Sequence, residues 1–141
     1  MVWAHNVHVM NAGFAPGFHD VHSVPRSGDM KTTGVFVKQW LGPQVYTLGI
    51  TAYAGQEGFA IGGPVSPIPP APDGSFEAVL HTLGYSQAFV DFRKAEADRL
   101  NPIHGPTTIR IPKFESQTIV NAGRIYDGIF FIDQMTAATH I

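Results

Sequence analysis

The chain has 141 residues, which is enough for one domain with a buried core and too few for two. Its 9 basic and 11 acidic residues give a net charge of −2, so nucleic-acid binding through a phosphate-neutralising surface is not expected. The absence of cysteine excludes disulfides, thiolate metal ligands and a cysteine nucleophile.

No apolar stretch approaches the roughly 20 residues that a membrane helix needs, and no basic segment followed by an apolar one resembles a secretory signal. We therefore expect a cytoplasmic protein without membrane contacts. Fifteen glycines and eleven prolines predict long connections between few regular elements.

The first informative stretch is a short apolar run, Val2-Trp3-Ala4, which polar residues follow at once. The run is compatible with a buried strand, and His5, Asn6 and His8 would lie at its carboxyl end, where open α/β sheets hold their sites. Imidazole suits proton transfer, and two imidazoles at a strand end could hold a nucleophilic water and donate to a developing oxyanion. The alternative is that His5 only satisfies backbone groups at the end of a buried strand.

A loop of about twenty residues follows, over residues 10–30, where glycines and prolines erase any periodicity. It carries a second His-x-x-His pair, His19 and His22, with the same spacing as His5 and His8. Two such pairs raise the alternative of a small metal-binding protein. Closely spaced zinc ligands more often share one helix face, which the glycines of this loop disfavour, so no metal is expected.

Helical spacing begins near residue 31 and ends at the Gly-Pro pair of residues 42–43. Its predicted apolar face comprises Phe36, Val37, Trp40 and Leu41. Residues 45–53 are β-branched and aromatic and predict a buried strand, which a turn at residues 55–58 ends. Within that turn, Glu57 is either a solvated acid or a site residue.

The second half of the chain contains one more predicted helix and two or three more strands. Residues 59–61 are predicted as an edge strand and residues 62–74 as a proline-rich surface loop. Asp73 or Ser75 caps the helix, whose apolar face is predicted to hold Phe76, Val79, Leu80 and Leu83. Strands are predicted over residues 88–92 and 128–133, with weak patterning over residues 94–124.

Helices that alternate with apolar strands predict an α/β fold with a mostly parallel sheet of about four strands, flanking helices and long loops. Two clear helices cover roughly one side of such a sheet, so residues 1–141 are expected to form a single, incomplete domain. The strand-end residues Asp91, Arg93 and Asp133 would join the histidines at the carboxyl edges of the strands. Alternatively, Asp91 pairs with Arg93 or caps a neighbouring turn.

The stretch Trp3-Ala4-His5-Asn6-Val7-His8 resembles the Trp-Ala-His-Asn-x-His signature of the erythromycin esterase family. Further landmarks follow in the family's order over nearly the whole chain. They are a glycine-led helix at residues 34–41, a Gly-x-Glu-Gly-like turn at 55–58, a Gly-Ser-Phe/Leu-Glu helix start at 74–77, an Asp-Phe/Leu-Arg strand end at 91–93 and a closing strand at 129–133.

The resemblance implies a hydrolase that opens a macrolide lactone with an activated water, an antibiotic-resistance activity that needs no covalent intermediate, metal or other cofactor. His5 and His8 would be its catalytic residues in this chain, positioning the water or ester and stabilising charge in the transition state. The family also uses an upstream segment, whose histidine is taken as the general base. This chain is therefore expected to be a C-terminal portion with little activity alone.

The expected partners are a small ester or macrolide lactone, and either an upstream segment of the same family fold or a second copy of the chain. The alternative from another class is a non-catalytic fragment or a subunit that only binds a partner.

Overall fold

The computed structural model describes residue 4 and residues 6–11, 31–58, 64–95, 107–110, 117–119 and 122–137. In chain order, its helices and strands are α1 (Asn6–Val9), α2 (Thr33–Leu41), β1 (Leu48–Glu57), β2 (Ser66–Ile68), α3 (Phe76–Thr82), β3 (Gln87–Asp91), α4 (Phe92–Ala95), β4 (Thr107–Ile109), β5 (Gln117–Ile119), α5 (Ala122–Ile125) and β6 (Gly128–Met135). A 3-10 turn, Gly42–Gln44, follows α2. Within these residues, no helix is long and apolar enough to cross a membrane.

The main sheet has four strands in the order β2-β1-β6-β3, which confirms the α/β class and the predicted strand number. β1 and β6 pair in parallel at its centre, whereas β2 and β3 pair antiparallel at its two edges. The sheet is therefore mixed rather than mostly parallel. The short connection from β1 to β2 explains one edge, because a parallel neighbour would need a crossover of a dozen or more residues.

β1 is the strand predicted over residues 45–53, but it begins at Leu48 and continues through Glu57. The turn predicted at residues 55–58 is wrong because both neighbouring strands still pair with β1 at Gly55. Gly55 has a φ of 129°, and a Cβ on it would lie 2.1 Å from the carbonyl oxygen of Met135. Glycine thus extends the strand where another residue would be strained and would collide with β6.

Both long predicted helices are confirmed, and each begins at a hydroxyl cap. Thr32 Oγ1 accepts the backbone N–H of Val35 at 3.3 Å, and Ser75 Oγ accepts that of Ala78 at 3.1 Å. These bonds satisfy donors that have no partner inside a first helical turn.

The predicted apolar faces of these helices are only partly buried. In α2 the buried residues are Gly34 and Val35, whereas Trp40 is 77% exposed. In α3 Phe76 is buried, but Leu83 just beyond the helix is 65% exposed. Helical spacing thus located both helices, while the neighbours that decide which face is buried are distant in sequence.

The main core cluster of the described residues lies where α3, α4 and α5 pack against the sheet. Its buried members are Met10, Phe76, Phe92, Ile109, Ala122, Tyr126 and Ile129. The predicted first strand at residues 2–4 and the edge strand at 59–61 fall largely or wholly outside the described residues, as does most of the long loop at residues 10–30.

Candidate functional site

His8 lies on α1, and its side chain is exposed to solvent, while His5 lies outside the described residues. The residue that positions α1 is Asn6, whose side chain binds the backbone of β1. Asn6 Nδ2 donates to the carbonyl of Ile50 at 2.5 Å, and Asn6 Oδ1 accepts the N–H of Ile50 at 3.1 Å. The amide side chain therefore pairs with β1 as a neighbouring strand would.

Contacts with buried residues also hold α1 in place. The ring of Tyr126 is 1% exposed, and its hydroxyl donates to the carbonyl of Asn6 at 3.3 Å. Thr32, the cap of α2, donates to the carbonyl of Met10 at 2.7 Å. Gly34 packs against the backbone of Val9 and Met10 so closely that a Cβ would lie 2.1 Å from the Val9 oxygen. His8 thus projects from a support that β1, α2 and Tyr126 fix together.

The strand-end residues that were predicted to lie together are divided between the two opposite ends of the strands. β3 runs antiparallel to β6, so Asp91 pairs with Gly128 at the start of β6. Asp133 lies near the end of β6, on the same side as Glu57 at the end of β1. Antiparallel pairing therefore separates Asp91 and Arg93 from the carboxyl ends of β1 and β6.

Asp91 and Arg93 have structural roles in this arrangement. Asp91 Oδ1 accepts the backbone N–H of Arg93 at 3.0 Å, which caps α4, as one alternative predicted. The Arg93 side chain instead donates from Nε to Asp127 Oδ1 at 2.9 Å. Lys38 Nζ donates to the same oxygen at 2.9 Å, so Asp127 joins α2 to α4.

Asp127 is the centre of a charged cluster at the end of the sheet where β1 and β6 begin. Its side chain is 9% exposed, and burial alone would raise its pKa. Hydrogen bonds from Arg93, the N–H of Thr47, Lys38 and Asn11 outweigh burial and lower the pKa to about 2. Asp127 is therefore an ionised carboxylate whose oxygens are used in holding the fold.

A second carboxyl group, Glu77 of α3, is fully buried against β1. Its Oε1 accepts the backbone N–H of Arg110 at 2.9 Å and contacts Thr51 Oγ1 at 2.5 Å, while its Oε2 is buried without a hydrogen-bond partner. Burial raises its pKa, despite the opposing effect of Thr51 and Arg110. No local pattern indicates this role, since a glutamate in a first helical turn is ordinarily a solvated favourable charge.

A third polar group lies in the carboxyl-terminal halves of the parallel strands β1 and β6. His81, in the last turn of α3, places Nδ1 2.6 Å from Asp133 Oδ1, and its ring stacks on Tyr53 with centroids 3.8 Å apart. Asp133 was predicted as a strand-end acid, whereas His81 was not predicted as a site residue. The pair joins residues 52 positions apart in sequence, which no local pattern reveals.

The erythromycin esterase family model matches residues 1–135 of the chain. The chain belongs to the erythromycin esterase family. The resemblance carried by residues 3–8 and the landmarks after them is thereby confirmed, and with it a relationship to hydrolases.

Two solved structures share the fold of this erythromycin esterase family member. A succinoglycan biosynthesis protein is 21% identical with a TM-score of 0.64, and the alignment covers 96% of this chain and 33% of that one. A Bacillus cereus protein is 18% identical with a TM-score of 0.64, and the alignment covers 95% of this chain and 33% of that one. This chain thus spans about a third of each. No curated protein matches the chain closely enough to indicate kinship.

The alternative of a metal-binding protein depends on residues that the structure mostly does not describe. His5, His19 and His22 lie outside the described residues, so their arrangement with His8 is untested. Across the described part of the chain, no group of three or more His, Asp or Glu side chains is placed to hold a metal ion.

Proposed function

We propose that this chain forms part of a carboxylic ester hydrolase that opens macrolide lactones with an activated water. The observation that carries this proposal is the erythromycin esterase family match, which includes the Trp-Ala-His-Asn-x-His stretch at residues 3–8. The fixed position of α1 supports it, because a histidine contributes most to a transition state when its carrier is held rigidly.

In this proposal His5 and His8 form one wall of the active site. They position the water or the ester group and donate to the oxyanion that develops on the carbonyl oxygen, where a preorganised donor is worth several kcal/mol. The general base comes from another segment of an erythromycin-esterase-type polypeptide, and the isolated chain has little or no lactone hydrolase activity. No metal or cofactor takes part in the proposed step.

Residues 1–141 are accordingly part of a larger domain, and a partner segment or a second copy completes it. The exposed apolar side chains support this part of the proposal, because single domains rarely leave several large ones uncovered together. Phe36 and Trp40 contact each other on α2 and are 40% and 77% exposed. Tyr46 and Phe89 contact each other near the sheet and are 42% and 53% exposed.

The test measures hydrolysis of a macrolide lactone by this chain, alone and co-expressed with an upstream segment of a family member. The expected result is turnover only in the complemented sample, with His5→Ala and His8→Ala each lowering kcat. Turnover by the isolated chain that His5→Ala abolishes would overturn the half-site proposal and make His5 the base. No turnover in either sample, with the two segments shown to associate, would overturn lactone opening itself.

The same samples test the partner proposal. Sedimentation of the chain alone is expected to show self-association, which the upstream segment suppresses by covering the apolar side chains. Trp40→Lys and Phe36→Lys are expected to weaken both kinds of association, while Thr82→Lys, at an exposed polar position on α3, serves as a control for charge. A chain that stays monomeric at high concentration and does not bind the upstream segment would contradict the proposal.

A further inference from the structure

Tyr53, His81 and Asp133 form a compact group, called here the His81 cluster, that is separate from His5 and His8 in the sequence. Tyr53 and Asp133 project from neighbouring strands, between the registered pairs Ala52↔Ile132 and Ala54↔Gln134. His81 reaches them from the last turn of α3. Each member is thus held by a different element, and all three elements are regular secondary structure.

The contact between His81 and Asp133 determines which ring nitrogen can accept a proton. The Asp133 carboxylate only accepts hydrogen bonds, so the 2.6 Å contact places a hydrogen on His81 Nδ1. In the neutral ring this leaves the lone pair on Nε2 as the proton acceptor. A histidine oriented by a carboxylate through Nδ1 is the arrangement of a general base in triad enzymes.

The ring is both oriented and accessible. Tyr53 stacks on it with an angle of 3° between the planes, which restricts rotation of the imidazole. The His81 side chain is nevertheless 43% exposed, and the Asp133 side chain is 24% exposed. A water or a small ester can therefore reach the ring, which is not true of a histidine that only fills a core.

The position of the cluster also favours chemistry over a purely structural role. It lies in the carboxyl-terminal halves of β1 and β6, the half of an open α/β sheet that ordinarily faces a ligand. The other two anchored carboxyl groups serve the fold. Asp127 receives hydrogen bonds from four groups, and Glu77 is fully buried. Asp133 is the one of these three that orients a solvent-accessible base.

We propose that His81 is a general base for hydrolysis of small activated esters, with Asp133 as its positioning residue. His81 Nε2 takes one proton from a water. The oxygen of that water bonds to the ester carbonyl carbon, and the π electrons of the carbonyl group move to the carbonyl oxygen. When the tetrahedral species collapses, the bond to the alcohol oxygen breaks, and the imidazolium proton passes to that leaving oxygen. One ester and one water become one acid and one alcohol, and His81 returns to its starting form.

This inference goes beyond lactone opening by the His5 and His8 wall, since it needs no second segment and no large cleft. Its probe is p-nitrophenyl acetate, hydrolysed by the 141-residue chain alone. His81→Asn is the decisive variant, because the asparagine amide can still donate to Asp133 but offers no proton acceptor in place of Nε2. We expect it to lower kcat/KM by at least about a hundredfold, the lower end of general base effects.

Asp133→Asn tests the positioning role and is expected to lower kcat with KM nearly unchanged. Nitrogen NMR of the chain should report the Nδ1–H form of His81, and a mixture of both ring forms in Asp133→Asn. A residue that only holds α3 to the sheet would alter stability without moving the ester rate. Asp73→Asn, the same change at an exposed turn position, is the matched control and should leave kcat/KM unchanged.

Retention of the full ester rate in folded His81→Asn, or no rate above free imidazole in the unchanged chain, would overturn the proposal. Circular dichroism of each variant confirms folding. If His81→Asn misfolds, the ester rate of folded Asp133→Asn decides, and an unchanged kcat there would overturn the proposal. These outcomes are independent of the lactone assay. The proposed macrolide turnover requires the upstream segment, whereas the proposed hydrolysis of p-nitrophenyl acetate does not require it.

Discussion

Thr51 Oγ1 of β1 lies 2.5 Å from Glu77 Oε1 of α3 and 2.7 Å from the carbonyl oxygen of Arg110. The hydroxyl has one hydrogen, and the Arg110 carbonyl can only accept it. A proton on Glu77 satisfies both contacts, since the carboxyl then donates to Thr51 while Thr51 donates to Arg110. Burial raises the pKa of Glu77, which also favours the protonated carboxyl group.

Glu77 therefore gives the chain a pH-dependent stability that falls toward alkaline pH. A folded pKa above the ordinary value of 4.5 means that the native state keeps a proton that the unfolded state releases. The contribution of Glu77 to the free energy of unfolding should be largest below about pH 4.5 and should decline as pH rises through the folded pKa. Glu77→Gln should flatten this decline in urea titrations across pH. Glu57→Gln is the control, and an unchanged slope in Glu77→Gln would contradict the prediction.

Asp127 gives a pH dependence of opposite sign. Its pKa is about 2 in the folded state against an ordinary 3.8, so its stabilising contribution is complete above about pH 4 and is lost as pH falls through about 2. Asp127→Asn should lower the free energy of unfolding by about 3 kcal/mol at neutral pH, because Lys38 and Arg93 lose their shared partner.

The comparison for Asp127 is Asp73→Asn, the same chemical change at an exposed turn position. It should cost less than about 0.5 kcal/mol. The difference between Asp127→Asn and the unchanged chain should shrink in acid, and a constant difference down to about pH 2 would show that the lost stability is not electrostatic.

Asn6 determines how firmly α1 is attached to β1. Asn6→Ala removes both hydrogen bonds to Ile50 and should cost about 2 kcal/mol, since each such bond contributes about 1 kcal/mol. Hydrogen exchange at the Ile50 amide should speed up in this variant. Asn6→Asp can still accept the Ile50 N–H but cannot donate to its carbonyl, so its amide protection should be intermediate. Equal protection in all three proteins would refute the attachment.

At position 34, intrinsic helix preference favours alanine, whereas packing against α1 favours glycine. Alanine within a helix is favoured over glycine by up to about 1 kcal/mol, which would stabilise α2 in isolation. Its Cβ would lie 2.1 Å from the Val9 oxygen and 2.4 Å from the Met10 oxygen, so α1 must move. Gly34→Ala should therefore destabilise the protein by about 2 kcal/mol in urea unfolding. Gln39→Ala, on the exposed side of α2, should be neutral or slightly stabilising.

The sequence was sufficient for the elements that depend on local chemistry. Ser75 begins α3 as a predicted cap, α2 ends at the predicted Gly-Pro pair, and the apolar run at the end of the chain becomes β6. It was not sufficient for β1, because strand continuation at Gly55 depends on Met135, eighty positions later. Strand direction at β3 was likewise decided by its pairing with β6 and not by its own residues.

The candidate site divides in the same way. The family signature at residues 3–8 is legible as a string, and the match over residues 1–135 agrees with it. The assignment of roles to His5 and His8 stays a prediction. His81 was overlooked because a histidine in the last turn of an amphipathic helix has no local mark of function. Only the folding of α3 onto β1 and β6 brings it to Tyr53 and Asp133.

The order of strands in the sheet has a consequence for synthesis on the ribosome. β6 is the last of the described strands to be made, yet it lies between β1 and β3 and pairs with both. The nascent chain therefore carries β1 and β3 for tens of residues before their common neighbour emerges, which is a high-contact-order arrangement. During that interval their unpaired edges are open to other chains, so yield in cells should depend on chaperones that bind exposed strands.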